Sequence, residues 1–118
     1  MKRDPRAFLS DVIEAGQAIQ QAVAGINLDD YRNSRLIRSS VEREFTIIAE
    51  ALNQLSQRDE ERFAQIDQAP QIISFRNKIT YEYAIINDRL VWGVIQDNLP
   101  ALLKQCAQLL NDLEGETS

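Results

Sequence analysis

Among the 118 residues there is no histidine, and that absence decides which chemistries the remaining side chains can run. Histidine is the side chain whose ordinary pKa lies nearest neutrality. Ser-His-Asp, Cys-His and HExxH sites are therefore excluded, and most zinc sites with them. The residues left that could act on a phosphate are gathered in one run, Ser74-Phe75-Arg76-Asn77-Lys78-Ile79-Thr80-Tyr81-Glu82-Tyr83. Arg76 can grip a phosphate with forked, charge-assisted hydrogen bonds and can stabilise the charge that develops during strand cleavage. Asn77 can orient that guanidinium or bond to nearby backbone groups. Tyr81 carries a phenol whose ordinary pKa of about 10 leaves little conjugate base at neutral pH. The same residues also have an ordinary reading. An arginine on a polar helix face is most often solvated or paired with a carboxylate, here Glu82 or Glu44.

Three stretches together resemble one family, the HepT-like branch of the HEPN ribonucleases. In the family signature Arg-Asn is followed, after three residues, by His, any residue and Tyr. Arg76-Asn77 and Tyr83 match it, and Tyr81 stands where the histidine belongs. Val41-Glu42-Arg43-Glu44 through Ala49-Glu50-Ala51-Leu52 resembles the preceding helix of the family, and Val91-Trp92 through Leu99-Pro100-Ala101-Leu102-Leu103 the last one. The resemblance implies a homodimer in which the motif residues of both subunits, Arg76, Asn77 and Tyr81 here, face a shared cleft. There RNA is cut without metal or other cofactor, through attack by its own 2′-hydroxyl. It also implies a toxin–antitoxin pair whose partner is a minimal nucleotidyltransferase, and AMPylation of the motif tyrosine, Tyr83.

Two departures from the pattern bear on activity. Cleavage needs a base to take the 2′-proton, and at Tyr81 a phenol replaces the imidazole. Glu82 replaces the small residue that usually follows the histidine, which brings negative charge toward a phosphate site. The expectation is a ribonuclease architecture with its activity lost or reduced. The alternative is a non-catalytic docking or substrate-binding subunit for a nucleotidyltransferase.

These residues need helices to hold them. Phe8, Val12, Ala15, Ile19, Ala22 or Val23 and Ile26 recur at spacings of three and four, which predicts a helix with Asp4 as N-cap and Pro5 in its first turn, ending near Gly25. The next pattern starts at Leu28, with Asp29 or Asp30 as cap. Ile37, Val41, Phe45, Ile48, Leu52 and Leu55 carry it to Ser56 as the longest helix. Residues 57–69 read as a loop holding a short helix, with Phe63 tucked onto the core. Gln71 to about Ile86 reads as the motif helix, on which Tyr81 and Tyr83, two apart, point about 200° from each other. Asn87-Asp88 caps a last helix whose stripe of Val91, Ile95, Leu99, Leu102, Cys106, Leu109 and Leu113 passes through Pro100, where a kink is expected.

The sum is an all-α fold, an antiparallel bundle of four to five helices that dimerises. One domain is expected over residues 1–118, with a frayed tail at 114–118. Cys106 cannot form an internal disulfide and reads as a small buried apolar residue in a reducing compartment. No stretch is long and apolar enough to span a membrane and no signal-peptide pattern opens the chain, so the cytoplasm is expected. Net charge is −5 and the pI near 4.7, which argues against binding nucleic acid by bulk charge. Arg32, Arg35, Arg38 and Arg43 could still follow an RNA backbone. The preferred reading is a solvated face interleaved with Glu42 and Glu44, with Arg38 and Glu42 spaced for an i,i+4 pair. Trp92 belongs to the core or to the dimer seam.

Overall fold

The computed structural model describes residues 4–81 and 87–116. Asp4 turns the chain into α1 (Pro5–Ala22) by accepting the Arg6 amide at 2.9 Å, with Pro5 in the first turn as the sequence predicts. Gly25, at φ 76°, adopts the left-handed conformation that only glycine reaches without strain, and it ends the connection.

The predicted long second helix is two helices. Asn27, rather than Asp29 or Asp30, caps α2 (Leu28–Asn33) through a reciprocal pair: its side chain accepts the Asp30 amide while the Asp30 carboxylate accepts its own. Ser34 then extends and recaps, its hydroxyl accepting the Ile37 amide at 3.2 Å to start α3 (Arg35–Arg58). The apolar period runs on across Ser34, so periodicity alone missed a break made by a single serine. The short α4 (Glu60–Phe63) is capped by Asp59, and Phe63 packs against the core as expected.

α5 (Ala69–Tyr81) begins earlier than the sequence suggests, because Pro70 fits the first turn of a helix. Residues 82–86 of the expected motif helix lie outside the described residues. α6 (Asp88–Gly93) is capped by Asn87 and runs through a π-helical turn, Val94–Asn98, into α7 (Leu99–Glu116). In that turn the Leu99 amide reaches back five residues to the Val94 carbonyl. The widened turn sits just before Pro100, which has no N–H to continue an α-helical ladder, so the structure meets the proline with a π turn at the expected kink. α7 continues past Glu114, where the frayed tail was placed, to Glu116.

Packing is antiparallel. Arg58 at the end of α3 lies over the ring of Phe8 near the start of α1, 5.8 Å from its centroid. α1 packs in turn on α7, closely enough that a Cβ on Gly16 would meet a Leu103 methyl at 2.3 Å. α5 lies on α3, with Phe45 and Phe75 edge to face at 5.0 Å between ring centroids. All seven residues of the predicted last stripe are buried, as are Phe8, Val12, Ala15 and Ile19 of α1 and Val41, Phe45, Ile48, Leu52 and Leu55 of α3. The described residues form an all-α bundle. Among them no helix is long and apolar enough to cross a membrane.

Candidate active site

Position along α5 follows from pairs made by its inner and groove-facing sides. Gln68 meets Gln105 of α7, Gln71 meets Asn98 of the π turn, and Ser74 and Lys78 line one groove with Leu90 and Val94. α5 therefore runs antiparallel to the long last rod. Its C-terminal end lies where α2, the N-terminal half of α3 and α6 meet. That end carries the motif: Arg76 and Asn77 sit two turns into α5, and Tyr81 is its last described residue. Tyr83 lies outside the described residues, as does Glu82.

The Arg76 side chain is half-buried. Its Nε is buried with no hydrogen-bond partner, and one terminal nitrogen donates to Asn77 Oδ1 at a long 3.5 Å. Of the two expected carboxylate partners, Glu82 lies outside the described residues and Glu44 does not pair: among the described residues no ion pair involves Arg76. Of the two readings of Asn77, orienting the guanidinium is the one with a contact behind it, and a weak one. A buried donor without an acceptor costs free energy, and a catalytic or binding role is one of the reasons a fold keeps one.

Beside the motif, an open groove of about 400 Å3 runs between α5 and the α6–π segment. Ile72, Phe75, Leu90 and Val94 give it an apolar floor, with Lys78 and Asn98 at its rim. Leu90 is 47% exposed there, unusual for a leucine on a packed helix. The groove is held open by amides that sequence reading missed. Asn98 Nδ2 donates to Gln68 Oε1 at 3.0 Å and to Gln71 Oε1 at 3.3 Å, while the Gln68 backbone N–H donates to Gln105 Oε1 at 3.3 Å. These residues are about 30 positions apart in the chain, and nothing in local sequence links them.

A second cluster sits at the same end. Tyr31 is fully buried against Trp92, with ring centroids 5.8 Å apart, so Trp92 belongs with the core at this point. Its hydroxyl has no partner. Burial pushes the Tyr31 phenol well above the ordinary tyrosine range, and the Glu42 and Asp88 carboxylates push it further against the pull of Arg38. Glu42 is raised as well, by burial first and by Asp88, with Arg38 opposing. The expected Arg38–Glu42 pair is not among the ion pairs: the Arg38 guanidinium instead donates to the Arg32 carbonyl, closing the C-terminal end of α2. Cys106 is buried in the core and its thiol is pushed up to about 12 by that burial, as expected of a packing residue.

A family model described as "Ribonuclease HepT-like" matches residues 12–109, and the chain belongs to that family, within the HEPN superfamily. Two proteins of Methanocaldococcus jannaschii, whose names read "Putative RNase" MJ0127 and MJ1380, are similar along nearly their whole length. The first is 25% identical, covering 98% of this chain and 94% of its own. The second is 27% identical, covering 88% and 94%. A "Probable ribonuclease HepT" of Thermococcus cleftensis is 24% identical, covering 86% of this chain and 92% of its own. No solved structure matches. Membership supports a ribonuclease or toxin-like function of HEPN type.

Proposed function

We propose that this chain, one domain over residues 1–118, is the HepT-like component of a cytoplasmic toxin–antitoxin pair. It is a homodimer built for metal-independent RNA cleavage whose activity is lost or reduced because Tyr81 stands in the histidine position. The observation that carries this reading is Arg76: a guanidinium on the motif helix of a ribonuclease family, with a buried, unpartnered Nε and no carboxylate neighbour among the described residues. Such a group has a phosphate-shaped deficit. In this reading Arg76 binds the scissile phosphate and Asn77 steadies the guanidinium. Tyr81 donates a hydrogen bond but is a poor proton acceptor at neutral pH. The apolar groove beside Leu90 is the dimer seam, which brings two motif helices to one cleft. Tyr83 is the acceptor of AMP from a minimal nucleotidyltransferase antitoxin, a modification that places a bulky anion beside Arg76 and closes the site to phosphate.

The test is incubation of the pure protein with labelled transfer RNA in chelator, beside Tyr81→His and Arg76→Ala variants. Cleavage confined to Tyr81→His is the expected result. Cleavage by the parent that Arg76→Ala abolishes would make it a working nuclease and sink the claim about Tyr81. No cleavage by any variant would favour the second reading, a non-catalytic docking or substrate-binding subunit for the nucleotidyltransferase, which the replaced histidine motivates. Intact-mass analysis after coexpression with the partner checks Tyr83: a mass unchanged by an active partner removes it as the acceptor.

A further inference from the structure

Arg32, Arg35, Arg38 and Arg43 were expected to be a solvated face interleaved with Glu42 and Glu44; in the structure Arg35 and Arg43 are exposed as expected, while the two glutamates turn aside. Arg35, Ser39 and Arg43 are four apart, so they lie along one line of the helix, and all three are exposed. Glu42 and Glu44 are turned from that line and half-buried, Glu42 toward Tyr31 and Asp88. Among the described residues neither Arg35 nor Arg43 has an ion pair or hydrogen-bond partner, whereas Arg32 has Asp29 at 3.8 Å. The next exposed carboxylate along the same face is Glu50, about 10 Å beyond Arg43 at 1.5 Å per residue.

The neighbouring helix is poor in charge beside the start of α3. α1 runs antiparallel to α3, so its C-terminal half flanks the N-terminal half of α3. That half opens on the exposed Glu14, and from Ala15 to Ala22 it carries no charged residue, with Gln17, Gln20 and Gln21 exposed. In a chain of net charge −5 two exposed guanidiniums about 12 Å apart thus stand along α3 without an ion-pair partner among the described residues. The exposed Ser39 hydroxyl lies between them on the same line. Leu36, next to Arg35, is 82% exposed, the most exposed large apolar side chain described. Cation, hydroxyl and an open apolar contact are what a single RNA strand needs: phosphate contacts for the backbone and a surface for an unstacked base. The line also ends where the bundle carries the C-terminal end of α5 and its motif.

We infer that Arg35, Ser39 and Arg43 form a phosphate-binding track for single-stranded RNA that leads to the α5 motif. This rests on the RNA reading proposed above but concerns binding, and it stands or falls apart from the fate of Tyr81. The test is equilibrium binding of a fluorescein-labelled single-stranded RNA across a salt series, with the parent chain and an Arg35→Gln/Arg43→Gln double variant. Arg58→Gln, an exposed arginine at the far end of α3, is the control. Each phosphate contact on a single strand contributes about 0.7 to the slope of log affinity against log salt. The double variant is expected to bind at least about tenfold more weakly at low salt, its slope smaller by about 1.4, with Arg58→Gln matching the parent. Equal affinity and slope in the double variant would overturn the track and leave RNA binding elsewhere. An equal loss in Arg58→Gln would overturn it in favour of bulk charge. No RNA binding by the parent would overturn both the track and the RNA reading. Unchanged melting curves of the exposed-site variants confirm that folding is not what the assay reads.

Discussion

Tyr31→Phe is expected to stabilise the protein, against the usual outcome of changing a fully buried residue. The ring contact with Trp92 survives the substitution, since only the hydroxyl is removed. That hydroxyl is buried and has no partner, so folding strips its water and returns nothing. An unsatisfied buried hydroxyl costs about 1–3 kcal/mol. The void left by one oxygen, at about 24 cal/mol per Å3, costs only a few tenths of a kcal/mol. The net gain is therefore about 1 kcal/mol or more. An unfolding entropy of about 2.1 cal/mol/K per residue over 118 residues makes 1 kcal/mol worth about 4 °C in Tm. The assay is thermal unfolding by circular dichroism at pH 7 and again in alkali. The folded phenol titrates above its unfolded value of about 10, so the unfolded chain loses its proton first and parent stability falls as pH rises past that value. The Phe variant lacks this contribution to the alkaline fall, and its advantage widens there. A Tm lowered by several degrees at pH 7 would show that the hydroxyl is bonded and would refute the argument.

Three further outcomes follow from the same physics. Glu42→Gln should raise Tm at neutral pH, and the gain should shrink as the pH falls through the ordinary glutamate range. The raised pKa of Glu42 means that the folded parent takes up the proton more readily than the unfolded chain. A melting series across pH checks this, and a gain that grows in acid contradicts it. Asn98→Leu should cost about 1–2 kcal/mol, from two part-exposed amide hydrogen bonds, read as a lower midpoint in urea; unchanged stability would mean that the amide bridge does not seat α5. The Cys106 thiol, buried and pushed up to about 12, should ignore a disulfide reagent at pH 8 until denaturant is added, and prompt labelling of the native protein would contradict its burial.

The core was legible because apolar spacing encodes which side faces inward, and the last stripe was read without error even through Pro100. What spacing does not encode is a cap that interrupts an unbroken stripe. Ser34 leaves the period of Ile37, Val41 and Phe45 intact while ending one helix and beginning another. The motif was legible for a different reason: Arg76-Asn77 is a local string, and its family resemblance needs no geometry. The surroundings of Arg76 were not, because the buried Nε and the lack of an ion pair with Glu44 depend on how α5 lies on α3. Nor could the Asn98 bridge be read, since its partners come from the loop before α5 and from α5 itself, and only the folded bundle brings them to the π turn.

The acidic net charge, which argued against nucleic acid in the sequence, has the opposite force once the charges are placed. A protein whose field is negative over most of its surface repels RNA except where carboxylates are absent, and that contrast orients an approaching strand. Arg35 and Arg43 are exposed and have no ion-pair partner among the described residues, at the end of the bundle to which α5 brings its motif. A tyrosine in the histidine position weakens proton transfer but subtracts no positive charge from this end at neutral pH. If the track and the motif act as proposed, binding and cleavage would rest on separate residues of this chain. A variant that loses the track should lose affinity and salt dependence, whereas restoring histidine at position 81 should change turnover while leaving affinity almost as it was.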